Sequence, residues 1–257
     1  MEFSDSVMEQ IRTLQKFIDE SERIVFFGGA GVSTESGIPD FRSVDGLYNQ
    51  KWDWPPEQIL SATFFWNNPK EFYRFYREKI LVENVRPNAA HEKLAELESC
   101  GKLTAVITQN IDGLHQAAGS RNVLELHGSV LRNHCVKCGA FYDSGYVISH
   151  KNSDGVPLCE RPGCASIIKP DVVLYEESLD EDVISRTVRA LREADMLIIG
   201  GTSLTVWPAA GFVREFSGRR LVLINRDVTP QDSNADLAIH APIGQVLSRI
   251  ECRPAVS

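Results

Sequence analysis

The sequence predicts an α/β fold: a parallel sheet with helices on both faces, plus a small domain built from a cysteine-rich module and a helical insertion. Short apolar runs alternate with helical stretches along most of the chain, as in a parallel sheet covered by helices. Residues 133–168 interrupt this alternation with four cysteines, and residues 42–90 form a helical, aromatic insertion. The large domain is therefore expected over 1–41, 91–132 and 169–257.

The spacing of apolar residues predicts the elements in chain order. Residues 6–21 predict an amphipathic helix, because Val7, Ile11, Leu14 and Ile18 recur at helical spacing. The predicted strands are 23–27, 103–108, 122–126, 195–199, 220–224 and 237–239. The further predicted helices are 56–62, 69–82, 88–100, 181–194, 206–216 and 243–251.

The composition argues against several classes of protein. A net charge of -8 argues against nucleic-acid binding through the overall field. The first 22 residues lack a basic start followed by an apolar stretch, so they do not read as a secretory signal. The apolar runs are too short to cross a bilayer. We therefore expect a cytoplasmic protein with no direct nucleic-acid or membrane partner.

A glycine-rich turn follows the first predicted strand. Gly28, Gly29 and Gly31 would let backbone N–H groups approach a pyrophosphate. The dinucleotide fingerprint wants a third glycine where this chain has Thr34, and Asp53 is not a convincing acidic partner. The turn alone fits phosphate binding and a structural strand–helix turn equally well.

The loop after this turn carries an aromatic ring and a guanidinium. Phe41 could cover a flat ring, and Arg42 could neutralise phosphate. The alternative is a loop that packs Ile38 and Phe41 into the core. Taken by itself, the sequence of this loop favours packing over ligand binding.

Four of the six cysteines form two closely spaced pairs: Cys135 with Cys138, and Cys159 with Cys164. Two such knuckles complete a tetrahedral set of thiolates around zinc, and four protein ligands leave no open position, so the metal would be structural. The alternative is two disulfides, which an intracellular chain disfavours. Cys100 and Cys252 are expected to be small buried apolar side chains.

Polar residues follow four of the predicted strands, where ligands bind in open α/β sheets. Residues 109–115 and 125–129 follow two of them, and 200–203 and 225–227 follow two others. His127 is a candidate base, because it lies at a strand end and the pKa of histidine is near neutral. The other five histidines are expected to be structural or surface residues.

Together these segments resemble the sirtuin family. The matching strings occur in family order at 29–33, 37–42, 108–115, 126–128, 169–173 and 201–204, with the four cysteines between them. The resemblance spans residues 24–242. It implies a Rossmann-like parallel sheet with helices on both faces, plus a small domain made of a zinc module and a helical insertion.

The resemblance also implies the activity. The chain would be an NAD-dependent protein-lysine deacetylase, which transfers an acetyl group from the lysine of a protein or peptide to ADP-ribose and releases nicotinamide. The short tails beyond the predicted core suggest a minimal enzyme, resembling bacterial-type members, and we expect a monomer. A mono-ADP-ribosyltransferase and a non-catalytic NAD-sensing module are the alternatives. His127, Asn110 and Asp112 are retained, which argues against the non-catalytic one.

The resemblance assigns roles to individual residues. Catalysis falls to His127, Asn110 and Asp112. The residues implied to contact NAD are Gly29, Ala30, Gly31, Thr34, Phe41, Arg42, Gln109, Asn110, Ile111, Asp112, His127, Gly201, Thr202, Ser203, Asn225 and Ile243. The residues implied to pair with an extended substrate peptide are Val173, Tyr175 and Glu176.

Two departures from the family pattern concern the substrate. The family often has Phe-Gly-Glu where this chain has Tyr175-Glu176-Glu177, and the added charge suggests a preference for basic residues near the acetyl-lysine. The acidic-acyl branch carries a Tyr-x-x-Arg pair, and here Tyr76 stands where that arginine would be. This favours acetyl over succinyl groups, although the neighbouring Arg77 leaves the question open.

Overall fold

The computed structural model describes residues 3–40, 46, 52–204 and 207–253. The strands are β1 (Ile24–Gly28), β2 (Leu103–Thr108), β3 (Val123–Glu125), β4 (Gly128–Cys135), β5 (Phe141–Asp143), β6 (Ile168–Val172), β7 (Met196–Gly200), β8 (Arg220–Asn225) and β9 (Leu237–His240). The helices are α1 (Asp5–Asp19), α2 (Pro56–Ile59), α3 (Ala62–Asn67), α4 (Pro69–Phe75), α5 (Ala89–Ser99), α6 (Leu114–Ala117), α7 (Ser144–Ser149), α8 (Glu181–Glu193), α9 (Ala209–Phe212) and α10 (Ile243–Leu247). Single 3-10 turns cover Ala30–Val32, Thr34–Ser36, Val213–Glu215 and Asp232–Asn234, and a π-helical turn covers Tyr76–Ile80.

Six strands form a parallel sheet in the order β3-β2-β1-β7-β8-β9. This confirms the predicted sheet, because each of its strands overlaps a predicted one. Strands β2 and β3 follow on one side of β1, whereas β7, β8 and β9 follow on its other side. This is the order of a doubly wound sheet. The sheet therefore reverses its winding between β1 and β7, where such folds bind ligands.

Side chains of the sheet alternate between two cores, one on each face. Ile24 and Phe26 of β1 point into a cluster completed by α1, α5 and α10. Val25 and Phe27 point into the opposite cluster, which includes residues of α8 and α9. All four of these side chains are fully buried. Burial on both faces explains why the strands appear in the sequence as continuous apolar runs.

A second, three-stranded antiparallel sheet has the order β5-β4-β6. It packs with α2, α3 and α4 around an aromatic cluster, which includes Phe65, Phe72, Tyr73 and Tyr76. The cysteine-rich segment and the aromatic insertion thus share one core. The predicted boundary at 132/133 falls within β4.

Several predicted helices are shorter in the structure. The stretch 56–62 ends as α2 at Ile59, because Ser61 caps the next helix by accepting from the N–H of Phe64 (3.1 Å). The stretch 69–82 changes from α-helix to a π-helical turn at Tyr76. In 206–216 the α-helix covers only Ala209–Phe212, and 243–251 stops at Leu247. No helix within the described ranges is long and apolar enough to span a bilayer.

The expectation for Cys100 and Cys252 is wrong. Both side chains are partly exposed, and the two residues are joined as a disulfide with a Cα–Cα distance of 6.7 Å. Cys100 follows the last turn of α5, and the chain after α10 returns beside that helix. A separation of 152 residues conceals this pairing in the sequence.

Candidate active site

The carboxyl ends of β1 and β7 meet through glycine backbones. The N–H of Gly31 donates to the carbonyl of Gly201 (2.8 Å), and the N–H of Gly29 donates to that of Gly200 (3.3 Å). A Cβ on Gly31 would lie 2.8 Å from Cα of Gly201, and one on Gly201 would lie 2.3 Å from the backbone nitrogen of Val32. This close contact requires glycine on both sides. After it, the chain forms two 3-10 turns instead of the long helix that usually follows a dinucleotide turn.

A cavity of about 520 Å³ opens at this edge of the sheet. The predicted residues that line it are Gly29, Ala30, Gly31, Thr34, Gln109, Asn110, Ile111, His127, Val173, Tyr175, Glu176, Gly201, Thr202, Ser203, Asn225 and Ile243. Asp112 lies behind this lining. Phe41 and Arg42 lie outside the described residues. The structure therefore brings the four strand-end clusters together around one space, within the size range of small-molecule sites.

His127 is held at the cavity wall in one orientation. Its Nδ1 lies 3.0 Å from the backbone carbonyl of Gln109. A carbonyl oxygen can only accept, so the proton belongs on Nδ1 and the lone pair on Nε2. Burial lowers the pKa of His127, while the hydrogen bond with Gln109 opposes this shift. The ring is therefore a neutral base at pH 7, and Nε2 is its basic atom.

Asn110 and Asp112 are connected through Ser33. The hydroxyl of Ser33 donates to Asp112 Oδ2 (2.6 Å) and accepts from Nδ2 of Asn110 (3.0 Å). Asp112 Oδ1 also accepts from the N–H of Leu114 (2.9 Å). Ser33 is only 1% exposed, so this network fixes the Asn110 amide where it reaches the cavity. The sequence did not single out Ser33, whose role appears only when its partners, 77 and 79 residues away, are known.

Two histidines lie buried beside this network. The rings of His91 and His115 are 4.7 Å apart, and neither side chain is more than 1% exposed. His91 Nε2 and both ring nitrogens of His115 have no hydrogen-bond partner among the described residues. Burial lowers the pKa of His91 to about 4 and that of His115 to about 3. Both rings are therefore neutral at pH 7. Neither lines the cavity.

The opposite end of the cavity, beyond β7 and β8, is polar. Asn225 Oδ1 accepts from the N–H of Thr202 (3.0 Å), and Gln109 Nε2 donates to the Thr202 hydroxyl (3.0 Å). Nδ2 of Asn225 is buried without a partner in the described part of the chain. A buried unpaired donor is costly, so this amide suits a ligand that supplies an acceptor, as a ribose or adenine does. The glycine contact and this donor together fit NAD.

The segment after β6 forms another part of the lining. The N–H of Val173 donates to the carbonyl of His127 (3.0 Å), and that of Tyr175 donates to Leu60 (2.9 Å). Glu176 has a left-handed φ of 77°, where the family pattern has glycine. Its carboxylate accepts from the N–H of Thr63 (2.9 Å), which lowers the pKa of Glu176. The Glu176 side chain thus points to the start of α3.

The four predicted metal ligands lie together. Their sulfur atoms all fall within 4.8 Å of one another, with 3.5 Å between Cys135 and Cys164 and 3.6 Å between Cys138 and Cys159. No disulfide joins them. Tetrahedral zinc with Zn–S bonds of about 2.3 Å places sulfurs about 3.8 Å apart, so the set fits zinc. Four thiolates close the coordination shell, which makes the site structural.

The structure shows an apolar wall of the cavity, most of which the sequence analysis did not assign to the site. The wall consists of Leu60, Tyr76, Ile80, Ile111, Val172 and Leu174. All six belong to or pack against the aromatic cluster around the small sheet. Their apolar spacing is that of ordinary core residues, so only the fold identifies them as lining. Of these six, the sequence analysis connected Ile111 with NAD and Tyr76 with the choice of acyl group.

Comparisons with known proteins agree with this geometry. The Sir2 family model matches residues 29–208. An NAD-dependent protein deacetylase of Clostridium acetobutylicum is 54% identical over 246 residues, which cover 95% of this chain and 99% of the relative. One of Clostridium perfringens is 56% identical over 245 residues, covering 94% and 98%.

Solved structures agree as well. A Sir2 structure with a p53 peptide and NAD+ shares 40% identity at a TM-score of 0.82, with 93% of this chain and 96% of that one covered. A Sir2 variant with a deacetylated p53 peptide and 3′-O-acetyl ADP-ribose shares 39% identity at a TM-score of 0.85, with the same coverage. These matches confirm the predicted resemblance. The chain belongs to the Sir2 family.

Proposed function

We propose that His127, Asn110 and Asp112 are the catalytic residues of this chain, which is an NAD-dependent protein deacetylase. It transfers the acetyl group of an acetyl-lysine to ADP-ribose and releases nicotinamide. The observation that carries the proposal is the orientation of His127, whose Nδ1 bonds the Gln109 carbonyl at 3.0 Å while the ring lines the cavity. NAD, when bound, would supply an electrophilic ribose carbon: its bond to nicotinamide would break and its bond to the acetyl oxygen would form.

The chain's own residues bind, orient and move a proton. Nε2 of His127 accepts a proton from the ribose hydroxyls, because Nδ1 already carries one. The Ser33 network holds the Asn110 amide and the Asp112 carboxylate at the nicotinamide end. Fixing the reactants in this way contributes much of the rate, since it removes the entropy cost of bringing them together.

The other NAD contacts are assigned from the position of each residue along the cavity. Thr202, Ser203 and Asn225 hold the adenosine end, and the glycines at 29 and 31 lie against the pyrophosphate. Backbone N–H groups of 173–175 are already bonded within the chain, and the carbonyls of Leu174 and Tyr175 accept from Glu177 and Ala62. A carbonyl oxygen has two lone pairs, so a substrate strand would pair through the carbonyls of this segment. We also predict NAD contacts for the remaining assigned residues, which are Phe41, Arg42, Gly201, Thr34, Ala30, Gln109, Ile111 and Ile243.

We further propose a large domain of 1–41, 91–132 and 169–257, a helical insertion of 42–90 and a zinc module of 133–168. The enzyme works as a cytoplasmic monomer without direct nucleic-acid binding. The net charge of -8 supports the last point. Sedimentation tests the monomeric state, and titration with labelled duplex DNA tests the absence of nucleic-acid binding. A stable dimer, or salt-sensitive DNA binding at micromolar concentration, would contradict them.

The activity is tested with an acetyl-lysine peptide and NAD, followed by mass spectrometry. We expect loss of the acetyl mass together with release of nicotinamide. His127→Ala should lower the rate by about 10²- to 10⁴-fold, because the base is gone, while NAD still binds. Addition of ADP-ribose to protein in place of deacetylation would favour the transferase alternative. Undiminished turnover by His127→Ala would refute the role of the imidazole.

A further inference from the structure

The disulfide between Cys100 and Cys252 joins two helices that also reach the active site. Cys100 caps the end of α5, and Cys252 lies shortly after α10. Both side chains are partly exposed, so small thiols in solution can reach the bond. The other four cysteines are the metal set of the small sheet and carry no disulfide. The pair is therefore a thiol–disulfide site separate from the metal ligands.

The opposite ends of the same two helices hold the turns that follow β1. Asn88 caps the start of α5, and its Nδ2 donates to the carbonyl of Val32 (2.8 Å) and to the hydroxyl of Ser36 (2.9 Å). At the start of α10, the N–H of Gly244 donates to Oε1 of Glu35 (2.7 Å). The two 3-10 turns after β1 thus connect the start of α5 to the start of α10.

These turns carry or support much of the candidate NAD site. Ser33, between the two attachments, holds Asn110 and Asp112 through its hydroxyl. Thr34 lines the cavity, and so does Ile243, which directly precedes the glycine bonded to the turn. A displacement of α10 relative to α5 would therefore move groups that line the cavity.

Few other contacts restrain the chain at the disulfide. Apolar residues of both helices belong to one core cluster, which fixes their packing but not the segment after α10. That segment bonds to α1 through Gln15, whose side chain accepts from the N–H of Glu251 (2.8 Å) and donates to its carbonyl (3.1 Å). Both hydrogen bonds are exposed, and such bonds contribute little net stability. The covalent bond is therefore the main restraint at this end of the two helices.

We propose that the Cys100–Cys252 disulfide is a redox-sensitive link that controls the affinity of this chain for NAD. The oxidised form holds α5 and α10, and with them the turns after β1, in the position that binds NAD. The reduced form releases this restraint and binds NAD more weakly. The inference rests on the proposed placement of NAD against these turns. In a cytoplasmic enzyme, as proposed above, disulfides are usually transient and respond to small thiols.

The co-reactant is a low-molecular-weight disulfide, of which oxidised glutathione is the probe. One protein thiolate attacks a sulfur of this disulfide, so a mixed disulfide forms and one small thiol leaves. The second protein thiolate attacks the mixed disulfide, the protein S–S bond forms, and the second small thiol leaves. The two cysteines are oxidised, the small disulfide is reduced to two thiols, and those thiols take up the two protons that the cysteines lost.

The test measures the Kd for NAD by calorimetric titration of the zinc-loaded protein in both redox states. Oxidised and reduced glutathione prepare the two states, and mass spectrometry of unreduced peptides verifies the pairing. We expect the reduced protein to have a Kd at least about threefold higher, because NAD must then order the turns itself. The double variant Cys100→Ser/Cys252→Ser is the control. It should keep its zinc and bind NAD like the reduced protein under both conditions.

Glu35→Ala tests the route between the disulfide and the site. This substitution removes the bond between the turns and Gly244 of α10, so the position of α10 no longer reaches the turns. We expect its oxidised and reduced forms to have the same Kd. A redox effect as large as in the unmodified protein would contradict the route through α10.

Three other results would overturn the proposal. They are failure of oxidised glutathione to form the bond, equal Kd values in the two verified states, and a redox effect that persists in the double variant. Gly31→Ala is titrated alongside, because its added Cβ distorts the turn directly. Weaker binding by Gly31→Ala without a redox effect would count against the disulfide alone, whereas no change in either comparison would count against the placement of NAD.

Discussion

Replacing His115 by leucine should make the protein less sensitive to acid. His115 is 1% exposed in α6, and its two ring nitrogens have no partner in the described part of the chain. Burial lowers its pKa to about 3, with a smaller contribution from His91. The folded state therefore keeps this ring neutral, whereas the unfolded chain protonates it near pH 6.5.

The sign and size of the effect follow from proton linkage. Because the folded pKa is depressed, the unfolded state binds more protons below pH 6.5, and stability falls as the pH drops from there towards 3. Between pH 7 and pH 5 the unfolded chain gains about 2 kcal/mol from protonating one such histidine, and the folded protein gains almost nothing. His91, with a pKa of about 4, adds a similar loss.

Urea unfolding at pH 7 and pH 5, followed by tryptophan fluorescence, measures this difference. Leucine has nearly the volume of histidine and leaves no unpaired nitrogen, so His115→Leu should stay within about 1.5 kcal/mol of the unmodified protein at pH 7. Its loss of stability on moving to pH 5 should be about 2 kcal/mol smaller. Acid effects at other groups occur in both proteins and cancel in this comparison.

His150→Gln serves as the control, because His150 is exposed. It should lose as much stability at pH 5 as the unmodified protein. An equal loss in His115→Leu and in the unmodified protein would refute the reasoning, since it would mean that the folded state protonates this ring as readily as the unfolded chain.

Two further predictions concern the metal and the glycine contact. Cys159→Ser should contain no zinc by metal analysis and should have a lower free energy of unfolding, because the metal stabilises the small sheet. Cys100→Ser, the control, should keep its zinc. Equal zinc contents in the two variants would contradict the assigned ligand set. Gly31→Ala should weaken NAD binding at least about tenfold, since its Cβ would lie 2.8 Å from Gly201 Cα and must push β1 and β7 apart. Calorimetric titration with NAD checks this against Gly145→Ala in α7, and unchanged affinity in Gly31→Ala would show that the close contact is not needed.

The parallel sheet was predictable because its central strands β1 and β7 are buried on both faces and appear in the sequence as unbroken apolar runs. All six strands of this sheet were found. The small sheet was not predicted, because the burial of β4 follows no regular period and polar residues and a proline interrupt β6. Sequence patterns report burial on both faces more clearly than pairing in a short, partly exposed sheet.

The candidate site divides in the same way. His127 and the strand-end clusters follow from a general rule about where parallel strands end. Ser33 does not, because it owes its role to Asn110 and Asp112, which lie far away in the chain. The disulfide between Cys100 and Cys252 depends on a return of the chain that no local pattern encodes.

His127 occupies a special place in the connectivity of the two sheets. It follows β3 of the parallel sheet and directly precedes β4 of the small one, and the returning chain after β6 bonds its carbonyl through Val173. A rotation displaces atoms in proportion to their distance from its axis. If the small sheet and its helices rotate about the connection at His127, the apolar wall moves while the imidazole, close to the axis, stays nearly in place. Substrate exchange is then compatible with a base that keeps its alignment throughout the cycle.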